Sequence, residues 1–368
     1  MAKENKRKLL FITVFLLIVL SFSAYASLVP NVHAAEITTQ EKGLSILSNV
    51  VGLDLAKYTV TTKENQADQA SYLGVVPQEN VLYTLESNSN KVDVLYTFAN
   101  GNVQMIHVLE NEGTPNLTKT ATSTNAVELA KGFLSKYQTY TANPLFEELK
   151  STLNNVDPNK NLTKTSGNTA LEVSAINDYT TFKWYYTSNG VIAPYSKAIA
   201  LGFKDGFLTA FVDNWQLYNV GSTTVNLSKE EATTIALNTA KAHAYSLNLS
   251  AYAFEAKNIN ESNVRWASLI FDGSLDANTT RSEDPLELYP VWRVGVALDK
   301  WYGQLYGIQI DIWADTGEVR AVQEAWSTLP PPEGIPIAKV STVGEPTSQV
   351  SDVNATNSSN GQAPPTRL

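Results

Sequence analysis

Alternation of period two, broken by tight-turn dipeptides, constrains this chain more than any other feature. Residues 91–110 read KVDVLYTFANGNVQMIHVLE. Apolar side chains at every second position face one side of a strand, and Asn100-Gly101 between two such runs supplies the positive φ values of a two-residue hairpin. The pattern returns around Asp205-Gly206 in KAIALGFKDGFLTAF and again in YGIQIDIWADTGEVRAVQEAW. In the last stretch Ile308, Ile310 and Ile312 point one way, while Gln309, Asp311 and Trp313 point the other. The 17 Tyr, 12 Phe and 7 Trp reinforce the preference for sheet.

Period-3.6 segments interrupt the strands three times. TTQEKGLSILSNVVGLDL predicts a first helix, with Thr39 and Glu41 suited to its N-terminus. TNAVELAKGFLSKYQTY carries Val127, Ala130, Phe133, Leu134 and Tyr137 on one face. KEEATTIALNTAKAHAYSL follows Ser228, and Glu231 completes a capping box. Its packing face is Ile235, Leu237, Ala240 and Ala244. A helix followed by antiparallel strands, repeated, predicts an α+β protein made of modules, each with one helix packed on a twisted antiparallel sheet. The expected boundaries are 36–120, 121–222 and 223–329.

The two ends differ from this middle. Lys3, Lys6, Arg7 and Lys8 precede the apolar run Leu9 to Leu20, and small residues follow, so residues 1–35 read as a signal peptide. The competing reading is an uncleaved N-terminal membrane anchor, since Leu9 to Leu28 carries no charge. Both readings place the rest of the chain at the cell surface or outside the cell, secreted or N-terminally anchored. Residues 330–368 are rich in Pro, Ser, Thr and Asn and contain no aromatic residue, the composition of a disordered tail.

Charge and cysteine usage exclude several functions. Removal of residues 1–35 leaves 23 Lys and Arg against 35 Asp and Glu, a net charge of −12. Such acidity opposes nucleic acid and anionic membrane surfaces as partners. The chain has no cysteine, so it must be held by its core and has no thiol chemistry. Only His107 and His243 remain beyond His33, which leaves little for a histidine-ligated metal or a Ser-His-Asp triad. No metal or cofactor is expected. Asn116, Asn161, Asn226, Asn248, Asn260, Asn278, Asn354 and Asn357 each head an N-x-[ST] triplet, and so are glycosylation candidates in an exported chain.

Asp315-Thr316-Gly317 has the local form of an aspartic protease loop. That chemistry needs a second carboxylate about 3 Å away sharing one proton, and no second Asp-Thr/Ser-Gly triplet exists in the chain. The bland reading is a turn in which Asp315 begins it, Thr316 supports it and Gly317 supplies φ > 0. Glu283, Asp284, Glu287, Asp311, Asp315 and Glu318 lack the spacing of a calcium loop and read as a solvated acidic rim. Among the aromatics, Trp313, Trp301, Tyr306 and Trp292 are candidate binding anchors. Trp313 alternates with the isoleucines and is expected on the outer sheet face. Core packing is the alternative for each.

LSKEEATTIALNTA (227–240), VWRVGVAL and GIQIDIWADTGEVRAV together resemble the PepSY family, whose domains open with an Ala-rich helix and close on a strand, a D-x-x-T-G-x-V turn and a last strand. The second segment looks like a divergent relative, with GFKDGFLTAF in place of the terminal hairpin, and the first is weaker still. The resemblance implies an extracellular, non-catalytic module that binds or restrains a peptidase or another envelope protein through a sheet face or edge. The alternatives are a structural surface glycoprotein acting as spacer or coat, and a hydrolase with unrecognised carboxylates.

Overall fold

The computed structural model describes residues 39–72, 76–117, 125–247, 258–273, 281–330 and 336–337. The proposed signal segment and the tail beyond Ile337 lie outside the described residues. The chain opens with helix α1 (Thr39–Ile46), extended by a π turn (Leu47–Val51) that ends where Gly52 adopts φ 89°. Strands β1 (Thr59–Tyr72), β2 (Val76–Glu86), β3 (Lys91–Ala99) and β4 (Asn102–Glu112) follow. Next come helices α2 (Ala126–Thr141) and α3 (Leu145–Thr152). Six strands succeed them: β5 (Leu162–Ser166), β6 (Thr169–Ile176), β7 (Tyr179–Ser188), β8 (Val191–Ile192), β9 (Ala198–Lys204) and β10 (Phe207–Asp213). After the short β11 (Asn219–Val220), helix α4 (Lys229–Ser246) leads into β12 (Val264–Gly273), β13 (Glu287–Tyr302), β14 (Leu305–Trp313) and β15 (Val319–Trp326).

These strands form one continuous sheet of 15 strands, which overturns the expectation of repeated helix-on-sheet modules. The main path runs β1-β2-β3-β4-β10-β9-β7-β8-β12-β13-β14-β15. Two junctions make it continuous. Strand β10 pairs antiparallel with β4, setting Ala210 opposite His107 and Phe211 opposite Ile106. Strand β7 passes through β8 to β12, where Ile192 meets Ile270. An unpaired strand edge leaves backbone donors and acceptors without partners. At these junctions the strands on either side are hydrogen-bonded to each other. Most pairings are antiparallel, with β8–β12 and β11–β13 parallel.

The core along this one sheet is divided into separate clusters. Residues of α1, β2–β4, α2, α3, β6, β7, β9 and β10 bury into a single hydrophobic cluster. Val127, Ala130, Phe133, Leu134 and Tyr137 all face it, as their spacing requires. Asn125 caps α2 by accepting from the Val127 and Glu128 N–H groups. The turn dipeptides behave as read: Asn100 and Gly101 have φ 50° and 68°, and Asp205 and Gly206 have 49° and 79°.

Helix α4 begins as its sequence dictates. Ser228 Oγ accepts from the Glu231 N–H at 3.2 Å, and the Ser228 N–H donates to Glu231 Oε2 at 2.8 Å. Ala232, Ala236, Leu237, Ala240 and Ala244 are buried against Val294, Val296, Ile308, Ile310 and Ile312. Alanines let the helix axis approach the sheet closely. His243 Nε2 lies 3.1 Å from Glu324 Oε1 and ties α4 to β15. Helix α4 therefore covers one face of β12–β15 and leaves the opposite face to the residues between the isoleucines.

Candidate functional site

That opposite face carries a charged network buried in the sheet. Register sets Ser268, Arg293, Asp311 and Ala321 side by side across β12–β15. Arg293 donates through Nε to Asp311 Oδ1 at 3.0 Å, and through Nη2 to Asp311 Oδ2 at 2.8 Å and Asp272 Oδ2 at 2.5 Å. Arg320 sits where the β14–β15 register slips. It reaches Asp272 Oδ2 at 2.8 Å and Asp311 Oδ2 at 3.1 Å through Nη1, and the Gly273 carbonyl through Nη2. Asp311 is only 1 % exposed. Burial by itself would lower the Arg293 pKa, but bonding to Asp311 and the charges of Asp272 and Asp311 override it and raise it. Two guanidiniums against two carboxylates leave the network neutral.

The Asp-Thr-Gly triplet is a turn that joins three elements. Gly317 has φ 78°, its N–H donates to the Trp313 carbonyl at 2.9 Å, and Thr316 Oγ1 accepts from the Glu318 N–H at 3.3 Å. Arg281 grips Asp315 with two parallel bonds, Nη1–Oδ1 at 2.6 Å and Nη2–Oδ2 at 2.5 Å. Those bonds raise the Arg281 pKa. The Ala314 carbonyl accepts from the Asn226 and Leu227 N–H groups just before α4, and the Ala314 N–H donates to Pro290. Asp315 is thus committed to an ion pair, with no second carboxylate sharing a proton with it among the described residues.

Trp313 does face away from α4, but it is 0 % exposed and offers no contact surface. Its ring packs against the guanidiniums of Arg281 and Arg320, whose carbons are 5.0 and 5.3 Å from its centre. Tyr289 meets it edge-on at 5.9 Å. Alternation set the face of Trp313, while the cover came from a loop and a register slip that alternation does not encode. Trp292 is buried on the α4 side, donating to the Leu227 carbonyl at 3.0 Å. Its role is to anchor the start of the helix.

Trp301 and Tyr306 come together. They stack across the β13–β14 hairpin at 5.1 Å with planes 26° apart, and Tyr306 is 39 % exposed. Among the described residues, pairing of β12 with β13 stops at Val264 opposite Val296, and β13 runs on to Tyr302. There the Trp301 N–H donates to the Pro336 carbonyl at 2.8 Å, and Trp301 forms a parallel bridge with Ile337.

The remaining expectations fall as follows. Asn161 and Asn260 are exposed, and Asn116 is half-buried. Asn226 is exposed but its Nδ2 donates to the Asp315 carbonyl at 2.9 Å. Asn248, Asn278, Asn354 and Asn357 lie outside the described residues. His107 stands on β4, and burial lowers its pKa. Local reading missed Asp213, whose carboxyl is pushed up to about 7 by burial, against a bond from the Trp215 N–H and the charge of Lys197. Among the described residues, no group of three or more His, Asp or Glu gathers to hold a metal, and no helix is long and apolar enough to cross a membrane.

Neither a protein-family model nor a curated protein matches the sequence. Among solved structures, the C-terminal domain of YpeB from Bacillus megaterium is similar at 13 % identity and TM-score 0.33, over 81 % of this chain and 100 % of that one. A putative DNA polymerase III beta subunit from Eubacterium rectale aligns at 10 % identity and TM-score 0.10, over 78 % of this chain and 83 % of that one.

Proposed function

We propose that this chain is an exported, non-catalytic, PepSY-like binding protein that takes an extended segment of an envelope protein or peptide along the edge of β13 beyond Val296. The observation that carries the reading is the bridge between Trp301 and Ile337. A sheet edge binds extended chain through main-chain hydrogen bonds, with neighbouring side chains giving selectivity. Here the edge already holds a proline-containing segment, and the Trp301–Tyr306 pair lies beside it. Commitment of Asp311 and Asp315 to arginines supports the non-catalytic part, since both most suggestive carboxylates serve as ion-pair partners. The basic and apolar N-terminal segment supports export.

Binding of a labelled peptide with the sequence of residues 331–343 tests this by fluorescence anisotropy. A full chain with Pro336 and Ile337 replaced by Gly and Ser should bind the peptide more tightly than the unaltered chain, because its own segment no longer competes. Adding Trp301→Ala to that chain should weaken binding at least tenfold. Equal affinity with and without Trp301, or no binding to the Gly-Ser chain, would refute the edge as the binding site.

A further inference from the structure

The face of β12–β15 opposite α4 holds a second feature, away from the β13 edge. Register places Trp266, Gly295, Gln309 and Gln323 in one row across four strands. Trp266 is 43 % exposed. A Cβ on Gly295 would lie 2.5 Å from Trp266 Cε2, 2.6 Å from Nε1 and 2.9 Å from Cζ2. With the ring-fusion carbon nearest and its two neighbours beyond, the indole lies across the glycine with one face on the sheet. Its other face is turned to solvent. Only glycine permits this, because any side chain at 295 would lift the ring.

Hydrogen-bonding groups surround the platform. Gln309 Nε2 donates to Gln323 Oε1 at 3.3 Å and to Asp311 Oδ1 at 3.3 Å, which orients the amide. Gln323 and Ser268 are exposed on the same face. Arg293 is clamped through Nε and Nη2, and its Nη1 makes no bond among the described residues. The row spans three strand spacings, about 14 Å.

The geometry points to a binding site for a neutral polysaccharide, with a pyranose ring stacked on Trp266 and its hydroxyls read by Gln309, Gln323, Ser268 and Arg293. An aromatic face is electron-rich and attracts the weakly positive C–H groups of a sugar ring. Amides and hydroxyls both donate and accept, which matches the dual character of sugar hydroxyls. Competing ligands fit poorly. Strands β13 and β14 are paired on both sides here, so no main-chain edge is free for a peptide. The arginines and aspartates of the network cancel, so an anion gains no net charge attraction.

Affinity gel electrophoresis of the full chain in gels containing hydroxyethyl cellulose, glycol chitin, galactomannan or soluble starch tests the site. Expected is retardation by at least one polysaccharide, reduced at least tenfold in apparent affinity by Trp266→Ala and measurably by Gln323→Ala, whose exposed side chain carries little of the fold. Trp301→Ala at the β13 edge, and Trp326→Ala at the exposed end of β15, should leave retardation unchanged, which separates this site from both positions. Migration unaffected by all four polysaccharides overturns the proposal. So does retardation that survives both Trp266→Ala and Gln323→Ala.

Discussion

Replacing Asp311 by Ala should destabilise the fold by about 3 kcal/mol, at the lower end of the 3–5 kcal/mol typical for breaking a buried ion pair. The structure sets the figure. Asp311 is 1 % exposed and accepts from two guanidiniums, those of Arg293 and Arg320. Without it Arg293 loses the acceptor for Nε, and both arginines must share Asp272, whose side chain is 28 % exposed. Asp272 keeps part of the compensation, which places the value at the low end. Asp272→Ala removes the better solvated carboxylate and leaves Asp311 in place, so it should cost about 1–2 kcal/mol. The order of the two variants follows from burial, not from the number of bonds. Urea unfolding at pH 7, followed by circular dichroism, measures both. The reasoning is refuted if Asp311→Ala costs less than about 1 kcal/mol, or if Asp272→Ala proves the more damaging. A concerted change of Asp272, Arg293, Asp311 and Arg320 to apolar residues of similar size should cost less than Asp311→Ala alone, because no charge is left stranded.

Asp213 predicts a pH effect of opposite sense to most carboxylates. Burial lifts its folded pKa to about 7 from 3.8, so the folded chain holds an extra proton between about pH 4 and 7 and loses stability as pH rises through that window. Asp213→Asn keeps an acceptor for the Trp215 N–H and should stabilise the protein at pH 8 by up to about 4 kcal/mol. The gain should vanish near pH 4, and a gain independent of pH would count against this account. Ser228→Ala removes the cap of α4 and should cost about 1 kcal/mol in thermal or urea unfolding, with Ser228→Asp close to the unaltered chain. An unchanged midpoint for the alanine variant would show that α4 is positioned by packing alone.

Local structure was widely legible. The capping box at Ser228 and Glu231, the buried face of α2 from Val127 to Tyr137, and the turns at Asn100-Gly101 and Asp205-Gly206 are interactions between residues close in sequence, so their patterns survive in a linear reading. The turn at Asp315-Thr316-Gly317 was legible for the same reason. The joining of all the strands into one sheet, in place of the expected modules, was not. Pairing of β4 with β10, and of β8 with β12, joins segments about 80 to 100 residues apart, and no periodicity marks which strand edge meets which.

The site divides along the same line. Alternation alone determined that Asp311 and Trp313 leave the isoleucine face. A charge in the middle of an alternating strand usually faces water, so local reading placed Asp311 on a solvated rim. Tertiary structure decided otherwise. Register brought Arg293 and Asp311 together, a slip in β15 delivered Arg320, and a loop carried Arg281 over Trp313. Desolvation is a property of everything that surrounds a side chain. A strand's own sequence sets the direction of a residue, but the strands and loops that pack around it determine whether it meets water, an opposite charge or a ligand.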